Sequence, residues 1–157
     1  MKLIWLPEFY LKSIAYLVEP AQSLVQRYLQ INDAARVHLR LHPNAVIDHI
    51  TPRTKMHPTK KAVPFEQKGW RWERDYTYEM DGWWAKVYVY PNKEGERFQP
   101  VLFVDQALPG HDDQIIPCWI EKFPEEEPTD FVLHHIACRV PDIRKAIREM
   151  EKEGIEF

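Results

Sequence analysis

The clearest signal in the chain is a strict alternation over residues 70–80. Trp70, Trp72, Arg74, Tyr76, Tyr78 and Met80 fall on one face and Arg71, Glu73, Asp75, Thr77 and Glu79 on the other. A period of two predicts a strand. Asp81-Gly82 then supplies a two-residue type I′ turn, and residues 83–90 return as the second strand of a hairpin. A turn at Pro91-Asn92-Lys93-Glu94-Gly95 leads into a third strand over 100–108, rich in Val, Leu and Phe and closed by Pro109-Gly110.

Upstream the period is helical. Phe9, Leu11, Ile14, Ala15, Leu17 and Val18 form an amphipathic stripe, which Pro20 kinks or restarts. Leu24, Val25, Tyr28 and Leu29 continue it to a stop at Asn32-Asp33. Residues 35–42 alternate Val37, Leu39, Leu41 with Arg36, His38, Arg40, His42, which favours a strand over a helix extension. Val46–Thr54 reads as a strand in which Pro52 marks an edge, an end or a bulge. Residues 55–68 read as loop with a short helix. Residues 109–130 read as a solvated connector with an acidic run, Glu125-Glu126-Glu127, and a short strand over 115–120. Residues 131–140 form a strand. Pro141-Asp142 starts a helix whose stripe is Ile143, Ala146, Ile147 and Met150, with Gly154 as its stop. Ile155-Glu156-Phe157 reads as the start of a further strand.

A length of 157 residues sets one domain or two small units sharing a core. The 45% hydrophobic and 29% charged content is that of a folded, soluble protein. A formal charge of -3 gives no reason to expect nucleic acid or an anionic membrane as partner. Cys118 and Cys138 make neither a disulfide framework nor a CxxC motif, which fits a cytoplasmic location. Pro7 and Glu8 interrupt the initial apolar run before a signal-peptide core forms. No stretch reaches the roughly 20 apolar residues of a membrane helix.

The chain also repeats itself. Asp48-His49-Ile50-Thr51-Pro52-Arg53-Thr54 and His134-His135-Ile136-Ala137-Cys138-Arg139-Val140 both read x-His-Ile-x-x-Arg-x. On a strand, His49, Thr51 and Arg53 share a face, as do His135, Ala137 and Arg139, with each Ile on the other. The elements that follow the first copy are a loop or short helix and three strands. A helix and the first residues of a strand follow the second.

This order and these residues resemble the vicinal oxygen chelate superfamily, which includes glyoxalase I, extradiol dioxygenases and bleomycin-resistance proteins. The segment from His135 to Ile143, continuing to Phe157, is similar to that family's module opening. The likeness covers 131–157 and 46–108 and leaves out 1–45. Pro100-Val101-Leu102-Phe103-Val104-Asp105-Gln106 further resembles the 2-oxoadipate dioxygenase/decarboxylase group, with Gln106 where that group has Glu. The resemblance implies an α+β fold of βαβββ modules: a helical leader (1–45), a first module (46–110), a connector (111–130) and a truncated second module (131–157).

The resemblance also implies a divalent metal (Fe, Mn, Ni, Co or Zn) held by one His from each module's opening strand, His49 and His135. The first module's carboxylate maps to Asp105, one place off register. Such a site acts as a Lewis acid on a carbonyl or enediolate oxygen of a small oxygenated or 2-oxo acid, in dioxygenation, isomerisation or lyase chemistry. Arg53 and Arg139 would bind a substrate carboxylate; as ordinary ion-pair partners they need no substrate. A lone strand His is more often structural than a ligand, and His134, alternating away from His135, is read as structural. His57 and His111 read as surface residues, and Cys138 as a buried small hydrophobe. Trp70, Trp72, Tyr76, Tyr78 and Trp84 either line an aromatic pocket or fill the core. The rival readings are a non-catalytic, bleomycin-resistance-like binder of a small aromatic or cationic ligand, and a scaffold with no site. The half-finished second module exposes a strand edge, which predicts a homodimer or a place in a longer chain.

Overall fold

A computed structural model describes residues 14–92, 99–111, 113–124 and 130–157. The expected stripe positions Phe9 and Leu11, the turn residues Lys93-Glu94-Gly95 and the run Glu125-Glu126-Glu127 lie outside them. Pro20 immediately precedes α1 (Ala21–Tyr28), and Val25 and Leu29, one turn apart, are both fully buried. Asn32 does not end a helix but begins the next one. Its side chain accepts a hydrogen bond from Ala35 N at 2.8 Å and caps α2 (Asp33–Leu41). The alternation over 35–42 therefore does not make a strand. A capped Asp-Ala-Ala-Arg start favours the helix, and Leu39 alone in it is buried.

The sheet follows the expected β-α-β-β-β order: β1 (Val46–Thr54), α3 (Pro58–Glu66), β2 (Arg71–Tyr78), β3 (Trp83–Val89) and β4 (Val101–Ala107). Pro58 opens α3 at its first turn, where its missing N–H costs nothing. The β2–β3 connection is one 3₁₀ turn (Glu79–Asp81) ending on Gly82 at φ 70°, in place of the expected two-residue turn. After β4 comes α4 (Ile115–Lys122), where the sequence pattern suggested a short strand. Pro117 near its start suits a helix, and Ile116 and Trp119 bury Val132. Then follow β5 (Phe131–Arg139) and α5 (Ile143–Lys152). Asp142 caps α5 by accepting from Lys145 N at 2.9 Å. Gly154 closes it in a left-handed conformation, with Ile155 N donating to Met150 O at 3.1 Å. Residues 155–157 are not in a strand.

The strand order is β2-β3-β4-β1-β5, with β1 and β4 parallel and every other pair antiparallel. The two His-Ile strands are thus neighbours. Ile50 pairs with Ile136, the equivalent residue of the other repeat, so a local two-fold axis runs between them. Each strand also carries one extra residue at the same repeat position. Asp48 is left over between the pairs Ile47–Cys138 and His49–Ala137, and His134 between Thr51–His135 and Pro52–Leu133. These are β-bulges. The second one explains how Pro52 fits a central strand, since the ladder is already broken there.

One face of the sheet is covered by α1, α2 and α3. Ile47, Ile50, Tyr88, Leu102, Val104 and Leu133 meet Leu17, Val25, Leu39 and Phe65 there in one core. Trp70 belongs to this core as well. A further bulge between Trp72 and Arg74 places Trp72 opposite core-facing Tyr88. Trp72 therefore does not share a face with Tyr76 and Tyr78, as simple alternation predicts. The opposite face of the sheet forms an open cup.

Candidate functional site

The cup has a volume of about 360 Å³ and is lined by His49, Thr51, Tyr76, Tyr78, Trp83, Phe103 and His135. Both repeat histidines are at its floor. Their Nε2 atoms lie 3.3 Å apart, with rings edge to face. Adjacent strands and local two-fold symmetry bring together side chains 86 residues apart in sequence. Phe103 packs on His49 at 5.2 Å between centroids, and Tyr76 stands against Phe103 at 6.1 Å. Trp83 sits between Tyr76 (5.6 Å) and Tyr78 (5.7 Å). Of the aromatic residues singled out in the sequence, Tyr76 and Tyr78 line the cup. Trp70 is in the core, and Trp84 meets His57 edge to face at 5.3 Å. Trp83 and Phe103 join the wall unannounced. The register signal was available, because Trp83 lies opposite Tyr78 across the hairpin.

Hydrogen bonding fixes how His49 is presented. Its Nδ1 lies 2.9 Å from Asp48 Oδ1. A carboxylate only accepts, so Nδ1–H donates and the Nε2 lone pair faces the cup. Asp48 also pairs with Arg139. Burial would raise the Asp48 carboxyl, but the hydrogen bonds from His49 and Arg139 prevail and hold it below the usual aspartate value. The bulge that carries Asp48 is supported from behind by Tyr16. Ile47 N donates to the Tyr16 hydroxyl at 2.6 Å, and the hydroxyl donates to Ile47 O at 3.2 Å. His135 is pushed down to about 4, first by burial and then by the neighbouring His134 and His49 rings. It is therefore neutral at physiological pH and able to donate a lone pair.

This pair fits a shared ion. Metal–imidazole bonds of about 2.0–2.1 Å at tetrahedral to octahedral angles place two ligand nitrogens roughly 2.9–3.4 Å apart, which brackets the observed 3.3 Å. The carboxylate to His49 Nδ1 is the usual outer support of a ligating imidazole. Among the described residues, no three His, Cys, Asp or Glu side chains are grouped to hold a metal ion.

Asp105, where the resemblance implied that donor, has both oxygens on Arg53: Nε to Oδ1 at 2.6 Å and Nη2 to Oδ2 at 3.1 Å. It lies opposite Arg53 in the β1–β4 ladder, four residues, or about 13 Å of strand, beyond His49. Gln106 donates to Lys55 O at 2.9 Å. Arg53 is 7% exposed and also lies 3.5 Å from Asp113, so its guanidinium is committed to protein carboxylates. Arg139 is largely exposed and paired with Asp48. His134 differs from the sequence reading. The bulge turns it toward the cup side, with its ring 4.9 Å from that of His135 and its Nδ1 3.8 Å from Asp105 Oδ2. Cys138 faces the helices, packed against their core, and burial pushes its thiol up to about 11, as an inert small hydrophobe requires. His57 caps α3 and is exposed; His111 is exposed beside Gly82.

Among solved structures, hydroxyglutarate synthase from Oryza sativa, in complex with 2-oxoadipate, matches 96% of this chain and 67% of its own length, with a TM-score of 0.61 and 15% identity. The fold is of the vicinal oxygen chelate type. A methylmalonyl-CoA epimerase matches with a TM-score of 0.46 and 21% identity, over 70% of this chain and 71% of that one. The epimerase from Mycobacterium tuberculosis gives 0.45 and 17%, over 70% and 65%. No family model and no curated protein matches the sequence. The vicinal oxygen chelate fold expected from the repeat is thus present, with one βαβββ module whole and β5 and α5 opening the second. No helix among the described residues is long and apolar enough to cross a membrane.

Proposed function

We propose that the chain is a metal-dependent enzyme of the glyoxalase/dioxygenase type acting on a small oxygenated or 2-oxo acid. The observation that carries this reading is the approach of the His49 and His135 Nε2 atoms to 3.3 Å at the floor of an aromatic cup. These two imidazoles would hold the ion. When bound, it supplies Lewis acidity to a carbonyl or enediolate oxygen.

The chain's own residues do the rest. Asp48 orients His49. Tyr76, Trp83 and Phe103 exclude water and offer flat faces to a planar substrate. The 2-oxoadipate held by hydroxyglutarate synthase supports the choice of a 2-oxo acid as first substrate to try. The β5 strand has β1 on one side and no strand on its other side among the described residues. That edge is where a second copy or a further stretch of chain would pair and add the missing donor.

The test is anaerobic reconstitution with Fe(II), Mn, Ni, Co or Zn, followed by elemental analysis. The His49→Ala/His135→Ala chain is expected to hold one ion fewer than the parent. An equal metal content in both sinks the proposal. Tight binding of an aromatic cation by the metal-free parent would instead favour a binding protein whose aromatic walls act through cation–π contact.

A further inference from the structure

A second pair of histidines lies on the opposite side of the sheet, unrelated to the cup. His38 and His42 are four residues apart on and just after α2, so they share a helix face. Their rings are 5.0 Å apart. His38 Nδ1 is 3.3 Å from Met150 Sδ on α5. A thioether has no proton to give, so Nδ1–H donates and the lone pair of His38 is on Nε2. That Nε2, and the Nε2 of His42, are both buried atoms without a hydrogen-bond partner. Two orphaned nitrogens on one helix face are costly unless something occupies the space between them. A carboxylate stands beside them: Glu149 on α5, with Oε2 3.7 Å from His42 Nε2 and Oε1 3.8 Å from Lys145 Nζ. The same helix pair is joined at its rim by Arg40 and Glu153.

We infer that His38, His42 and Glu149 form a cation site that ties α2 to α5. It takes a borderline divalent ion of the zinc, nickel, cobalt or copper class. Two imidazoles at i and i+4 on a helix face with one carboxylate from a facing element is a donor set for such ions. It is a poor one for magnesium or calcium, which prefer oxygen. The two imidazoles lie side by side, with centroids 5.0 Å apart and both Nε2 atoms buried. The third donor closes by rotation of the Glu149 side chain, one-third exposed, which as it stands is not at ligand distance. Met150 accepts the His38 Nδ1–H and so serves as the outer support that fixes the ring.

The experiment uses the full chain carrying His49→Ala/His135→Ala, so that the cup cannot contribute. Zinc is titrated by calorimetry, and thermal unfolding is followed with and without it. One saturable equivalent is expected, with a zinc-dependent rise in Tm. Adding His42→Gln or Glu149→Gln should weaken binding by about tenfold or more and abolish the rise. Both side chains are partly exposed, and their metal-free urea midpoints report whether the fold is intact. No saturable zinc in the cup-less chain overturns the inference. Affinity unchanged by His42→Gln overturns it as well. Affinity unchanged by Glu149→Gln removes the α5 arm, and with it the tie. None of these results bears on the His49–His135 proposal, whose loss would leave this site standing.

Discussion

Replacing Asp105 by Asn should cost stability and leave the metal content unchanged. Arg53 and Asp105 are 7% and 1% exposed and are joined by two hydrogen bonds of 2.6 and 3.1 Å. Removing one partner of such a pair leaves a guanidinium in a low-dielectric site, with Asp113 as its remaining carboxylate at 3.5 Å. The expected loss is about 3–5 kcal/mol, a large part of the roughly 5–15 kcal/mol that holds a domain of this size together. The partial substitute offered by Asp113 argues for the lower end. Urea denaturation monitored by tryptophan fluorescence measures it, alongside elemental analysis of the reconstituted protein. The Arg53→Met/Asp105→Leu chain sharpens the test. If the pair is structural, deleting both charges recovers much of the single-variant loss, because the guanidinium is no longer buried without its main partner; Asp113 loses its contact with Arg53 but keeps the hydrogen bond from Ile115 N. A loss below about 1 kcal/mol for Asp105→Asn would refute the reasoning. So would a double variant as damaged as the sum of the singles. Loss of metal with stability intact would restore Asp105 to the ligand role.

The metal-free protein should lose stability as pH falls from about 6.5 toward about 4. His135 is pushed from 6.5 down to about 4, so the unfolded chain binds more protons in that window and stability rises with pH there; the full effect is about 3 kcal/mol. His38 acts in the same direction, and His135→Gln should flatten the pH series of urea melts. Tyr16→Phe should cost about 1 kcal/mol and weaken metal affinity at the cup, since the hydroxyl supports the Ile47 backbone beside the Asp48 bulge; unchanged affinity with the stability loss would separate the bulge from the aim of His49.

Local rules carried the fold far. The strand read over Val46–Thr54 has the bounds observed, and period-two patterning found the hairpin. The Asp142 cap and Gly154 stop bounded α5, and the repeat named both histidines whose rings meet. The failures share one cause: what a pattern means depends on its neighbours. The alternation over 35–42 had no strand to pair with and became a capped helix. The apolar run at 115–120 packed as α4 on β5. Counting faces by odd and even positions failed at Trp72 and His134, where a bulge adds a residue that the sequence does not mark. Asp105 is visible in the sequence as a carboxylate on the right strand. Only the parallel β1–β4 register, which no local signal encodes, reveals Arg53 across from it.

The extra residues at Asp48 and His134 have a further consequence. Because each sits just ahead of its histidine, it works as a rotational offset between the two halves of its own strand. Val132 and Leu133 can serve α4 and the helical core on opposite sides while His135 still looks into the cup. Shortening either strand by that one position would restore plain alternation and leave both imidazoles toward the cup. What would go is the side chain the offset carries: the carboxylate behind His49 from one strand, the ring beside His135 from the other.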